Sequence, residues 1–189
     1  MRLDHFRYLA PIYDRLMGLP DPQPLAELLK LPISGRLLDS GGGTGRIALV
    51  LRRLAGQVVV ADTSPHMLAR ARAKTLAAVA ARTEQLPFGD GCFERILVVD
   101  ALHHFAAQRG ALAEMVRVLA PGGRLVIQEF DARRTAVRLI ALAEKAAGMG
   151  SRFLRPQQIG DMLAEHGVSV RIQAGRCCTV WIAADKTPL

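Results

Sequence analysis

The chain is poor in cysteine, lysine and long apolar runs, and each shortage removes a class of explanation. Only Cys92, Cys177 and Cys178 occur in 189 residues. Their number is odd and two are adjacent, so neither a disulfide framework nor a zinc-ligand spacing is expected. No metal is expected, and free thiols fit a reducing, cytoplasmic setting. No run approaches the length of a membrane span, and Met1-Arg2-Leu3-Asp4-His5-Phe6-Arg7 carries charge where a signal peptide needs an apolar stretch. A soluble chain with no transmembrane segment is expected.

Lysine is scarce although the net charge is +8, because arginine supplies most of the 25 basic residues set against 17 acidic ones. Those arginines are spread along the chain and form no basic tail, which counts against a nucleic-acid partner. A basic surface still admits peripheral contact with anionic lipid, or attraction of an acidic small substrate.

What is present is apolar patterning. Half of the positions are hydrophobic, enough at this length to bury the core of one domain without disulfides or metals. Residues 1–189 are therefore read as a single domain. From Gly35 onward short apolar runs alternate with segments of helical period, the pattern of an α/β sheet. Strands are expected at Arg36 to Ser40, Gln57 to Asp62, Ala78 to Arg82, Phe93 to Val99 and Arg124 to Phe130, all parallel. Only its place in the alternation argues for the third, since alanine favours helix. Helices are expected from Arg133 to Ala147 and from Pro156 to His166. Strands at Val168 to Ala174 and Cys177 to Ala184 follow, with Gly175-Arg176 between them as a two-residue hairpin connection, so one strand runs antiparallel. The two vicinal cysteines would then alternate across a strand, with one buried. Before Gly35, residues Asp4 to Leu16 show helical spacing around Pro11, and Pro24 is placed to start a short helix to Lys30.

Asp39-Ser40-Gly41-Gly42-Gly43-Thr44-Gly45 joins a strand to the helix-forming Arg46-Ile47-Ala48-Leu49-Val50-Leu51. Glycines allow positive φ and close backbone approach, and the free N–H groups of the next helix attract an anionic group, phosphate or carboxylate. The dinucleotide fingerprint needs a glycine where Arg46 stands, and no Gly-Lys-Ser/Thr follows for a phosphate loop. Val58-Val59-Val60-Ala61-Asp62 ends a second strand on a carboxylate suited to the two hydroxyls of a ribose. The same Asp62-Thr63-Ser64-Pro65 run also reads as a helix cap, and both roles are compatible.

An acid followed by Gly-x-Gly-x-Gly resembles the first motif of the class I S-adenosylmethionine-dependent methyltransferases, and the resemblance covers nearly the whole chain. Glu84-Gln85-Leu86-Pro87-Phe88-Gly89-Asp90-Gly91-Cys92-Phe93-Glu94 looks like that family's loop between strands 3 and 4. Asp100-Ala101-Leu102-His103-His104-Phe105 looks like its exit from strand 4, and Leu119-Ala120-Pro121-Gly122-Gly123-Arg124-Leu125-Val126-Ile127 its fifth-strand entry. Tyr8 to Leu16 is similar to the lid-like entry of the quinone-biosynthetic group, which makes residues 1–34 an N-terminal helical lid.

The resemblance implies a Rossmann-like seven-stranded mixed sheet of order 3-2-1-4-5-7-6 with strand 7 antiparallel and helices on both faces. It implies S-adenosyl-L-methionine as cofactor, outside the carboxyl ends of strands 1 and 2. Asp39, Gly41, Gly42, Gly43 and Gly45 would line the methionine end, Asp62 the ribose, and Thr63 and Met67 the adenine. Thr83, Glu84 and Asp100 are further cofactor candidates, and Tyr13 either closes over the cofactor or packs as an amphipathic helix residue. Two departures stand out. Arg82-Thr83 occupies the place of an acid and a small residue that contact the adenine amino group, so Thr83 and backbone groups recognise the ring or recognition is weaker. Ser40 stands where many members carry an apolar residue, with little consequence expected.

A sulfonium methyl is already activated, so aligning the nucleophile and excluding water do most of the work, and a base is needed only for a proton of high pKa. His104 is the candidate base or substrate contact, with capping or packing as the alternative for it and His103. Glu129 is read as near the site or paired to an arginine, and Arg152 and Arg155 as binding an anionic substrate or, the favoured reading, as solvated. The expected function is methyl transfer to O, N or C of a small-molecule acceptor. The alternatives are a non-catalytic S-adenosylmethionine or S-adenosylhomocysteine binder, or an RNA or protein methyltransferase. No Asn-Pro-Pro-Tyr-like run after strand 4 favours the latter.

Overall fold

The computed structural model describes residues 13–146 and 150–188. Seven strands form one sheet: β1 (Arg36–Ser40), β2 (Gln57–Asp62), β3 (Ala77–Ala80), β4 (Phe93–Val99), β5 (Leu119–Phe130), β6 (Val168–Ala174) and β7 (Thr179–Lys186). Their spatial order is β3-β2-β1-β4-β5-β7-β6. Neighbours from β3 to β5 pair in parallel, and β7 runs antiparallel to both β5 and β6. The expected fold is therefore the one observed. Parallel strands need crossovers, and the helices that supply them cover both faces of the sheet.

Helices α1 (Tyr13–Met17), α2 (Pro22–Leu29), α3 (Arg46–Leu51), α4 (Pro65–Ala73), α5 (Gln108–Val118), α6 (Thr135–Ala146) and α7 (Pro156–Ala164) complete the described elements, with a 3₁₀ turn at Leu102–His104. Alternation along the strands sends side chains to two cores. Leu38, Ile96, Val98, Leu125, Ile127 and Ile182 pack on Leu112 and Met115 of α5 and on Ile159 and Leu163 of α7. Leu37, Val60, Leu97 and Val126 face the other way, onto Leu25 and Leu29 of α2, Ile47 and Leu51 of α3, and Leu68 of α4.

Several boundaries differ from the sequence expectation. Helix α2 starts at Pro22 rather than Pro24, because Asp21 caps it by accepting a 3.0 Å hydrogen bond from the Gln23 N–H, and a proline is tolerated in a first turn whose N–H groups have no helical partner. Strand β3 covers Ala77–Ala80, so pairing with β2 overrides the helix preference of alanine; Thr75 at φ 61° turns the chain out of α4. Strand β5 begins at Leu119, paired with Phe93 ahead of a register shift, so Pro121-Gly122-Gly123 lies inside an irregular strand. The hairpin connection is four residues, 175–178, rather than two. Cys177 adopts φ 54° and is exposed, so the cysteines sit in the turn and do not alternate across a strand. Of the helix expected at Asp4 to Leu16, the part before Tyr13 lies outside the described residues.

Candidate cofactor and methyl-transfer site

Strand β1 ends in a turn that only glycines can make. Gly41, Gly43 and Gly45 have φ of 72°, 56° and 71°, values costly for any residue with a Cβ. A Cβ on Gly41 would come within 2.7 Å of the Ala101 Cβ, and one on Gly42 within 2.5 Å of the Asp39 carboxyl carbon. At Gly43 the nearest atoms would be 3.9 Å away, the Asp62 carboxylate and the Met67 sulfur. That glycine leaves an open cradle.

Strand β2 delivers Asp62 to the same place. Its Oδ2 accepts the Gly43 N–H at 2.9 Å and its Oδ1 the Ser64 N–H at 2.8 Å, so the carboxylate is fixed to the glycine turn and to the start of α4. Ser64 caps α4 as its sequence suggested.

These segments line a cavity of about 600 Å³ outside the carboxyl ends of β1 to β4, within the usual range of small-molecule sites. Tyr13, Asp39, Gly41, Gly42, Gly43, Asp62, Thr63, Met67, Thr83, Glu84, Asp100 and His104 all stand on its wall. Gly45 does not: it caps α3 with a left-handed backbone and packs against Leu76, Ala71 and Val60. It shapes the turn from beneath.

The wall is acidic. Asp39, Asp62, Glu84 and Asp100 face Arg46 and Arg82 around it, an excess of carboxylates suited to a ligand carrying positive charge. Asp39 is fully buried, and burial pushes its carboxyl up to about 7 against the lowering effects of the Ala48 N–H and of Arg46. Its Oδ2 has no hydrogen-bond partner, which is costly unless a ligand supplies one. Burial also raises Asp100, with the Gln128 amide, donating at 3.1 and 3.2 Å, opposing and nearby Glu129 reinforcing. Glu84 ends below its usual range: burial raises it, and the Ala107 N–H and Arg82 outweigh that. Burial raises the Tyr13 hydroxyl, with Arg46 opposing.

Thr83 is buried and hydrogen-bonded to Ser40, hydroxyl to hydroxyl at 2.9 Å. The serine expected to matter little is thus the partner of the residue expected at the adenine end. Arg82 is largely exposed and 3.5 Å from Glu84.

The two histidines separate. His103 is buried, its Nδ1 2.8 Å from Glu129 Oε1 and its N–H donating to Glu129 Oε2 at 3.0 Å. Glu129 is therefore paired to a histidine and not to an arginine. The Phe153 ring stacks on His103 with centroids 4.3 Å apart and 15° between planes. His104 lines the cavity, and its Nδ1 is 3.1 Å from the Ser151 hydroxyl. Arg152 and Arg155 are exposed. Among the described residues no group of three or more His, Cys, Asp and Glu is arranged to hold a metal, and no helix is long and apolar enough to cross a membrane.

Residues 38–127 match the family described as Methyltransferase domain. The chain is 45% identical over 103 residues to a demethylmenaquinone methyltransferase of Thermus thermophilus, covering 50% of this chain and 47% of that protein. It is 36% identical over 150 residues to a ubiquinone/menaquinone biosynthesis C-methyltransferase of Edwardsiella ictaluri, covering 74% and 57%. The chain thus spans about half the length of the curated relatives it matches. Among solved structures, a SAM-dependent methyltransferase from Thermotoga maritima superposes with a TM-score of 0.78 at 22% identity, covering 96% of this chain and 98% of that one; the likeness is one of fold.

S-adenosylmethionine, the cofactor that the sequence motifs imply, fits this site. The orphaned Asp39 oxygen and the open cradle at Gly43 are what a polar, cationic amino-acid end requires, and Asp62 stands beside them on the cavity wall. Sequence reasoning missed Asp14, Thr44, Lys74 and Arg46. Arg46 lines the cavity from the first turn of α3; its position directly after the glycine turn was the available signal. Asp14 accepts the Thr44 hydroxyl proton and pairs with Lys74, whose ammonium also donates to the Thr44 carbonyl at 2.7 Å. These contacts join residues 30 positions or more apart, so no local pattern announces them.

Proposed function

We propose that the chain transfers a methyl group from S-adenosylmethionine to a small-molecule acceptor of the phenol or quinol type. The observation that carries this is the Asp39–Gly43–Asp62 constellation: a buried carboxyl oxygen without a partner, an open glycine cradle and a pinned carboxylate on one wall. When bound, the cofactor supplies an electrophilic sulfonium methyl. The chain's own residues then bind, align and exclude water. Asp39 and Gly41 to Gly43 hold the amino-acid end, Asp62 the ribose, Thr63 and Met67 the adenine face, and Thr83 and Glu84 the ring edge. Asp100 lies between cofactor and acceptor. His104 contacts the acceptor and takes its proton where the accepting atom carries one, with Ser151 fixing the imidazole. The aromatic acceptor class is supported by the likeness to demethylmenaquinone and ubiquinone/menaquinone methyltransferases.

Residues 1–189 act as one domain in this reading, with 1–34 as a lid. Tyr13 on the cavity wall and Asp14 tied to Thr44 support that arrangement. The three free thiols fit a cytoplasmic enzyme.

Incubation with methyl-labelled S-adenosylmethionine and a panel of quinol, phenol, amine and RNA acceptors tests the activity. Label is expected in the quinol or phenol arm; label in RNA alone, or tight cofactor binding with no transfer to any arm, overturns it. Asp62→Ala is expected to weaken S-adenosylhomocysteine binding at least tenfold, about 1.4 kcal/mol, by calorimetry; unchanged affinity removes Asp62 from the ribose site.

A further inference from the structure

Four carboxyls stand on the cavity wall, and three of them accept backbone N–H groups. Asp62 takes those of Gly43 and Ser64, Glu84 that of Ala107, and Asp39 that of Ala48. Asp100 is held differently. Among the described residues its carboxylate receives the Gln128 side-chain amide alone, which donates to both oxygens at 3.1 and 3.2 Å. A single neutral amide orients a carboxylate with less bias toward the ionised form than a set of backbone N–H groups gives. This carboxyl is therefore able to exchange a proton without losing its anchor.

The backbone is bent to put it there. Asp100 has φ 50°, a left-handed conformation that a residue with a Cβ keeps only where its surroundings impose it. Gln128 imposes it from β5: its carbonyl accepts the Asp100 N–H at 3.0 Å while its side chain holds the carboxylate. The chain then enters the turn Leu102–His104, closed by the His104 N–H donating to the Ala101 carbonyl at 3.0 Å. One short turn thus sets two proton acceptors, Asp100 and His104, on the wall of one cavity. The titratable and charged groups facing Asp100 are Glu129 of β5, His103 of the turn, Arg46 of α3 and Tyr13 of α1. Burial raises its carboxyl and Glu129 acts in the same direction, while Gln128, His103 and Arg46 oppose. A raised carboxyl is a stronger base than an ordinary one.

A phenol ring carbon becomes a good nucleophile when a hydroxyl on the ring loses its proton, and after accepting a methyl group that carbon must lose a proton of its own. Two acceptors answer to two protons. We propose that Asp100, positioned by Gln128, takes the hydroxyl proton of the phenol or quinol and that His104 takes the proton of the ring carbon that is methylated, an inference that rests on the methyl-transfer reading of the cavity. The acceptor's O–H bond breaks as an O–H bond forms on Asp100, and the freed electron pair moves into the ring. The ring carbon gains its bond to the methyl group as the sulfur–methyl bond breaks and leaves its pair on sulfur. The C–H bond then breaks, its proton passes to His104 and its pair restores the aromatic ring, and Asp100 returns its proton to the oxygen. One proton leaves overall, by way of His104.

4-Nitrophenol reads the first proton transfer without turnover, because its phenolate absorbs visible light and its neutral form does not. Added to the protein saturated with S-adenosylhomocysteine, at a pH where the free probe is neutral, it is expected to show the phenolate band. Asp100→Asn is expected to remove that band, and asparagine tolerates positive φ, so the fold is kept. The same variant should hold S-adenosylhomocysteine within about threefold of the original chain and lower methyl transfer to the phenol or quinol at least about 100-fold. Gln128→Leu removes a donor to the ionised carboxylate, so the rise of rate with pH that follows ionisation of Asp100 should move to higher pH. No phenolate band, a band that survives Asp100→Asn, or label recovered as a methyl ether on oxygen overturns the proposal. So does a larger loss of S-adenosylhomocysteine affinity in Asp100→Asn, which would make Asp100 a cofactor ligand. Methyl transfer to ring carbon that Asp100→Asn leaves unchanged overturns it too, and the methyl-transfer reading then stands. A band that depends on Asp100 in a protein that methylates no acceptor counts against that reading instead and leaves Asp100 as a proton acceptor.

Discussion

Asp39 shows how one residue's place in the fold changes its chemistry. The sequence marks it as the acid of a motif; the structure makes it a carboxyl held at about 7 by complete burial, with one oxygen that has no hydrogen-bond partner. Its folded value lies above its ordinary 3.8, so the protein without ligand binds more protons at this group than the unfolded chain does. The stability it contributes is therefore present at low pH and is lost as pH rises from about 4 to about 7. A cationic ligand group beside Oδ2 favours the ionised form. S-adenosylhomocysteine should thus bind with release of a proton near pH 6, measured as a buffer-dependent calorimetric heat, and its affinity should rise toward pH 8. Asp39→Asn should remove both effects; a proton release unchanged in the variant would contradict the assignment. Asp39, Asp62 and the glycines were legible because a short motif carries them. The separation of His103 from His104 was not, because it depends on Glu129 and Phe153 arriving from other elements.

Among the elements, α1 is the one whose order depends most on a few contacts. An isolated helix shorter than about 12 residues is marginal in water, and the described part of α1 is five residues long. What fixes it is Asp14, shared between Thr44 in the glycine turn and Lys74 after α4. The helical spacing of this segment is visible in the sequence, whereas the clasp joins positions 30 and more apart and is not. Asp14→Ala should leave the sheet intact, accelerate amide exchange across Tyr13–Met17 at least tenfold and shorten the residence of S-adenosylhomocysteine. Exchange rates unchanged by the substitution would show that packing alone holds the helix. Alanine-rich β3 and the four-residue hairpin turn were misplaced by a few positions for a related reason: local preference sets the boundary only until pairing with a neighbour decides it.

At the scale of the molecule, one sheet separates two cores, and burial rather than charge determines where substitutions are felt. Leu112 is fully buried between α5 and the sheet, so Leu112→Ala should cost about 2–5 kcal/mol in urea unfolding. Leu142→Ala, on the exposed face of α6, should stay within about 0.5 kcal/mol; a large loss there would mean that the leucine packs inward. The sheet order was legible through motifs that recur in fixed sequence order along the chain, and the alternation of strands and helices supports it independently. Ser40 and Thr83 show the limit of such reading. They lie 43 positions apart and each departs from the pattern of its own segment, yet their hydroxyls complete one another inside the protein. Two apparent irregularities along the chain are a single substitution in space, and a pattern scored one position at a time penalises the chain twice for it.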